Sequence, residues 1–221
     1  MTPAPVQDLA AVEDATERLL AAVGGLDDAA ARRASLLPGW SVGHVLTHLA
    51  RNADGMVRLV SWAHTGERTP MYASLEARSA DIESGSSRPA VELVGDLEGS
   101  ARLLSTALGS LRAAPPQVLD RLVVFGAAAP DSVPDVPAHA IGYARLREVE
   151  IHHVDLDLPT YTPLDWPDEF VERTLLWIHG RSGPVDVIGH PAEVLAWRLG
   201  RGAGPSVLRR DGSAPGEPPA W

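Results

Sequence analysis

Glu148 and His152 stand four residues apart in RLREVEIHHVDLDL, a segment whose pattern predicts a helix. Positions i and i+4 share one face of a helix, one turn apart. A carboxylate and an imidazole so placed can grip a single divalent cation. A second segment, GWSVGHVLTHLARNADGM, offers His48 in a stripe with Val45, Leu49, Asn52 and Met56 on another amphipathic helix. Two such helices in contact would supply His, Glu and His, a ligand set that leaves a fourth position of a catalytic metal open. The spacing alone decides little, because most Glu-x-x-x-His pairs on helices are solvated. Burial adds weight: a lone carboxylate inside an apolar bundle is costly, and a cation shared with two imidazoles removes that cost.

Neighbouring residues compete for the same role. His44 and His48 are also four apart, so a His-x-x-x-His pair with Glu148 is an alternative ligand set. His48 is preferred because His44 falls in the first helical turn, nearer the bundle rim. His153 points about 100° from His152 and reads as a supporting or surface residue. Glu150 points away from Glu148 and reads as solvated. Asp155 lies one turn after His152, where it could accept a hydrogen bond from an imidazole N–H and fix its tautomer. His64, His139, His179 and His190 show no partner in the sequence.

The elements that must position these groups are mostly helical. Leu9, Val12, Ala15, Leu19, Leu20 and Val23 predict a helix over residues 6–23, stopped by Gly24-Gly25. A short helix over 27–35 and an apolar turn, Leu36-Leu37-Pro38-Gly39-Trp40, tucked onto the bundle, come next. Ser41 is a good N-cap for the His48 helix, which Gly66 ends. Residues 65–88 read as a long polar connection, helical in part around 74–82. A third helix is expected over 89–111, with Pro89 in its first turn, and an irregular Pro-rich stretch over 113–136. The fourth long helix, 138–154, carries Glu148 and His152. Four main helices with one long crossover predict a mainly α fold: a four-helix bundle over residues 1–158. After Pro159 the punctuation changes. Helices over 166–179 and 191–199 alternate with strand-like runs at 185–188 and 206–209, predicting a small α+β C-terminal domain over 159–221.

Composition excludes several functions. The chain has 221 residues and a net charge of −10, from 29 acidic and 19 basic residues, against the basic face of a nucleic-acid binder. Every basic residue is arginine, so no lysine Schiff base can form. There is no cysteine, hence no disulfide, no thiolate ligand and no cysteine nucleophile. Any thiol chemistry needs an external thiol. The N-terminus lacks the pattern of a signal peptide, and no run of about 18 apolar residues predicts a membrane span. A cytoplasmic protein without membrane attachment is the expectation.

Three stretches, LLPGWSVGHVLTHLARNADGM, MYASLEARSADIESG and RLREVEIHHVDLDL, together resemble the mycothiol-dependent maleylpyruvate isomerase family. Its N-terminal domain is a DinB-like metal-binding helical bundle. The resemblance spans nearly the whole chain and weakens beyond about residue 160. It implies zinc, or another divalent metal, with the family's His, Glu and His ligands falling on His48, Glu148 and His152. It implies mycothiol as the external thiol, and a small unsaturated keto-diacid such as maleylpyruvate as substrate. Two arginines that the family uses for a dianionic substrate fall on Arg78 and on Arg201, within AWRLGR. Trp197-Arg198-Leu199-Gly200-Arg201 departs there from the family's Trp-Leu-Thr-Gly-Arg, and the C-terminal part is shorter than usual. The implied reaction is a cis-trans isomerisation by thiolate addition, bond rotation and elimination. Relatives with the same bundle run other thiol transfers. A mycothiol S-transferase acting on an electrophile, and a non-catalytic helical binding protein, are therefore the alternatives.

Overall fold

The computed structural model describes residues 5–126 and 136–218. Part of the Pro-rich stretch expected over 113–136, and the end of the C-terminal tail, lie outside the described residues. The chain divides into two compact units, Met1–Leu156 and Asp157–Trp221.

The first unit contains α1 (Pro5–Val23), α2 (Asp28–Arg32), α3 (Val42–Thr65), α4 (Leu75–Gly85), α5 (Ala90–Leu111) and α6 (Pro116–Leu119). An antiparallel pair of two-residue strands, β1 (Leu122–Val123) and β2 (Val136–Pro137), and then α7 (Ile141–Asp155) complete it. Helices α1, α3, α5 and α7 form a four-helix bundle in which α1 and α3 each pack against both α5 and α7. The stripe expected on α1 is inside: Leu9, Val12, Ala15, Leu19 and Val23 are buried, with Leu20 half-buried at its edge. Opposite them lie Leu46, Leu49, Met56 and Leu59 of α3 and Leu93, Leu97 and Leu104 of α5, all essentially sealed from solvent. Each such side chain contributes about 1.5–3 kcal/mol relative to exposure.

Local chemistry sets the ends of α3. The Ser41 side chain accepts from the His44 backbone N–H, while the His44 ring accepts from the Ser41 backbone N–H. This is a capping box with histidine in place of the usual Glu or Gln. Gly66 closes the helix in the left-handed region at φ 80°. Gly43 permits a close passage: a Cβ there would lie 2.2 Å from the Ser86 carbonyl oxygen. Arg51 of α3 bonds Asp96 of α5 at 2.6 Å, and Arg88 bonds the same carboxylate at 2.7 Å, tying the two helices at their polar margin. The apolar turn before α3 is held by its backbone, Leu36 N–H donating to the Asp155 carbonyl. It is only partly tucked in: Leu37 and Trp40 are half-buried, and Leu36 remains 46% exposed.

Helix α7 follows a single 3₁₀ turn, Ala138–Ala140, and has no side-chain cap. Two expectations are corrected here. Glu150 is not solvated; it is 1% exposed and accepts from Arg18 of α1 at 2.7 Å. Of the two readings of His153, supporting or surface, the surface one falls: the residue is buried. The cause is packing: α7 meets α1 on one side and α3 on another, so residues turned away from Glu148 meet another helix rather than water.

The second unit begins with a 3₁₀ turn, Pro163–Asp165, and contains α8 (Asp168–Ser182), β3 (Val187–Ile188), α9 (Pro191–Arg198) and β4 (Leu208–Arg209). The strands pair antiparallel, Val187 opposite Arg209 and Ile188 opposite Leu208. They are shorter than the runs that predicted them. Helix α8 packs on α9; Phe170, Ile178, Leu195 and Trp197 of the two are buried, and the Trp197 indole donates to the Gly216 carbonyl at 2.8 Å. No helix among the described residues is long and apolar enough to cross a membrane.

Candidate metal centre

His48 projects from the second turn of α3, and Glu148 and His152 from successive turns of α7; contact between the two helices brings all three to one point. The His48 Nε2 lies 3.0 Å from Glu148 Oε2 and 3.2 Å from His152 Nε2, and the latter two atoms are 3.6 Å apart. Zinc held tetrahedrally at about 2.0–2.1 Å from each ligand requires donor atoms roughly 3.3–3.4 Å apart. The observed triangle brackets that value, so the donor set and its spacing fit a small divalent cation.

Burial separates the charges in a useful direction. His48 is 4% exposed, and desolvation pushes its imidazole below the ordinary histidine range, favouring the neutral ring a metal needs. For Glu148, burial alone would raise the carboxyl. The hydrogen bond from His48 and the nearby His48, His152 and Arg145 outweigh it, holding Glu148 well below the usual carboxylate range. The trio therefore offers two imidazoles and a carboxylate, with the carboxylate ionised.

Further residues surround the trio. Asp155, sealed from solvent one turn below His152, takes the His152 Nδ1–H at 2.7 Å. This is the contact its spacing suggested. Arg145, one turn before Glu148, is 1% exposed and donates to the Leu49 carbonyl at 2.9 Å and to Asn52 Oδ1 at 2.8 Å. Burial pulls its guanidinium down to about 10, still protonated at neutral pH. Sequence reading passed over Arg145, although its spacing of three from Glu148 and seven from His152 puts it on their helix face. Trp40 closes one side, its ring centroid 5.6 Å from that of His48 in an edge-on arrangement.

Arg78 lies on α4, inside the part of the connection expected to be helical, and its Nη2 is 3.0 Å from His48 Nδ1. The guanidinium also stacks over the Tyr72 ring at 5.6 Å. His44 stays outside the trio because both its nitrogens are engaged, Nδ1 in the helix cap and Nε2 with Glu83 at 3.2 Å. His64 meets Ser110, and His139 faces Asp120. His179 and His190 belong to the second unit, as does Arg201. Arg201 follows α9 and bonds the Leu199 carbonyl. Arg198, one of the two residues that depart from its motif, is buried and bonds Ser182.

Residues 12–157 match the family described as the mycothiol maleylpyruvate isomerase N-terminal domain. No curated protein matches the chain. Two solved structures share its fold. One is a crystal structure of the mycothiol-dependent maleylpyruvate isomerase, with a TM-score of 0.85 and 28% identity over 98% of this chain and 97% of that one. The other is a histidine-to-alanine mutant of the mycothiol-dependent maleylpyruvate isomerase, with a TM-score of 0.85 and 27% identity over the same shares. Since the sequence match takes in all of α3 and α7 and most of the bundle, the chain belongs to the mycothiol maleylpyruvate isomerase N-terminal domain family.

Proposed function

We propose that this protein is a metal-dependent, mycothiol-assisted cis-trans isomerase acting on maleylpyruvate or a similar unsaturated keto-diacid. The observation that carries the reading is the convergence of His48, Glu148 and His152 in a chain of this family. Those three residues hold the metal, zinc by preference, although two imidazoles and a carboxylate suit other divalent ions as well. When bound, the metal would lower the pKa of an external thiol, which supplies the nucleophile that the cysteine-free chain lacks.

The chain's own residues do the rest. Glu148 contributes an anionic ligand that offsets part of the cation's charge. Asp155 keeps the His152 proton on Nδ1, leaving the Nε2 lone pair turned to the centre. Burial disfavours the cationic form of His48, which has no lone pair to offer a metal. Arginine matches the carboxylates of a dianionic substrate because its planar fork binds them in pairs. Arg78, beside the trio, is assigned to one carboxylate. Arg201 is proposed separately as a carboxylate-binding residue, solely on the motif that it closes.

The test is isomerisation of maleylpyruvate by purified protein with and without zinc and mycothiol. The expected result is fumarylpyruvate formed only when both are present. Full activity without thiol would overturn the reading. A stable thioether product would replace it with S-transfer to an electrophile. Absence of bound metal together with unaltered function in His48→Ala would point to a non-catalytic binding protein.

A further inference from the structure

The two histidines of the centre are held in opposite tautomers. His152 presents Nδ1 to the Asp155 carboxylate at 2.7 Å. A carboxylate only accepts, so that nitrogen carries the proton and Nε2 carries the lone pair. His48 presents Nδ1 to Arg78 Nη2 at 3.0 Å. A guanidinium only donates, so this Nδ1 is the acceptor, and the proton of the neutral ring is on Nε2. That Nε2–H faces two acceptors, Glu148 Oε2 at 3.0 Å and His152 Nε2 at 3.2 Å. Each of these hydrogen bonds pairs a donor with an acceptor, and a proton lies in the middle of the trio.

A cation at the same point needs the lone pair of His48 Nε2. The ring proton must then move to Nδ1, where it would face the N–H of Arg78 across 3.0 Å, donor against donor. One of the two must leave, and the guanidinium is the movable one: Arg78 is half-buried on α4, whereas His48 is sealed in the core. We infer that Arg78 is a latch on the metal centre: it holds His48 in the tautomer that cannot ligate, and metal entry shifts the proton from Nε2 to Nδ1 and expels the guanidinium. The ring gains and loses no net proton; only its position changes. The inference rests on the metal-centre reading above and adds a coupling to it. Metal frees Arg78 for an anion, and by linkage an anion that draws Arg78 away tightens the metal by the same factor. An arginine serving two partners in turn would make substrate binding and metal retention mutually supporting.

The experiment compares metal-free and zinc-loaded protein by long-range ¹H–¹⁵N correlation of the imidazoles, and zinc affinity by chelator competition in wild type and Arg78→Ala. His48 is expected to carry its proton on Nε2 without metal and on Nδ1 with zinc, while His152 keeps Nδ1–H in both. Arg78→Ala is expected to bind zinc about tenfold more tightly or better, since a hydrogen bond to a charged group that opposes loading has been removed. Added malonate should tighten zinc in wild type and leave the variant unchanged. A proton on His48 Nδ1 in the metal-free protein would overturn the latch, as would equal or weaker zinc affinity in Arg78→Ala. No zinc uptake by either protein would instead sink the metal-centre reading, and the latch with it. The metal-free tautomers, read independently, tell the two failures apart.

Discussion

Helices α3 and α7 supply the same centre in contrasting ways. Helix α3 has an apolar stripe, a capping box at one end and a left-handed glycine at the other. Its single contribution, His48, lies within the buried stripe. Helix α7 has no side-chain cap, and its buried set mixes Ile141, Leu146 and Val149 with Arg145, Glu150, His153 and Asp155. It supplies two of the three candidate ligands and Asp155, which holds one of them. A helix wrapped on several sides by others has no outer face for polar groups. It tolerates them only where each finds a partner. The difference teaches that α3 is a structural helix that lends one ligand, whereas α7 is organised around its polar side chains.

Removing ligands from either helix is the strongest challenge to this contrast. His48→Ala and His152→Ala should both abolish zinc uptake and reduce activity to background, while far-UV circular dichroism stays that of the bundle, because packed apolar faces carry its stability. Full zinc occupancy in both variants, measured by elemental analysis, would dissolve the centre. Asp155→Asn probes the supporting role of α7 alone. It should weaken zinc about 10- to 100-fold without unfolding the protein. An unchanged affinity would leave Asp155 as a packing residue. In the second unit, Arg201→Ala should lower kcat/KM for the keto-diacid by about tenfold or more with zinc content unaltered; steady-state kinetics beside metal analysis separates the two.

Stability gives a smaller signal. Arg18→Ala takes the cation from Glu150 inside the α1–α7 contact. It should cost about 1–3 kcal/mol by urea unfolding, less than a fully buried pair because Arg18 is itself 40% exposed. The smallest effect concerns pH in chelator-treated protein. The Glu148 carboxyl titrates lower folded than unfolded, so the stability it contributes is complete above the ordinary carboxylate range. That stability disappears as pH falls through the depressed folded value. The advantage of wild type over Glu148→Gln should therefore shrink on acidification. An advantage that grows in acid would reverse the sign assigned to Glu148.

Much of the bundle could be read from the chain because its helices announce themselves by repeated apolar spacing and by end signals. Ser41 and Gly66 stand where the expected limits of α3 were drawn, and Leu9 through Val23 face inward as their period requires. The trio was visible for a related reason: two of its members are one helical turn apart, and the third lies in an apolar stripe. Periodicity misled where more than one neighbour meets a helix. Glu150 and His153 lie off the Glu148 face, and only the position of α1 reveals that this direction is interior too. The strands of the second unit were overextended because short apolar runs carry no length signal of their own.

Residue order by itself thus settled which segments are helical, which side of each is apolar, and that any nucleophilic sulfur must come from outside. Those are properties of neighbours along the chain, where spacing and side-chain type suffice. Only the folded molecule decided that α3 and α7 touch at His48 and Glu148, that Asp155 and Arg78 grip the two imidazoles from opposite ends, and that Arg145 lies in the core. These are pairings across up to a hundred residues of chain, chosen by how helices pack and by the need to give each buried polar group a partner.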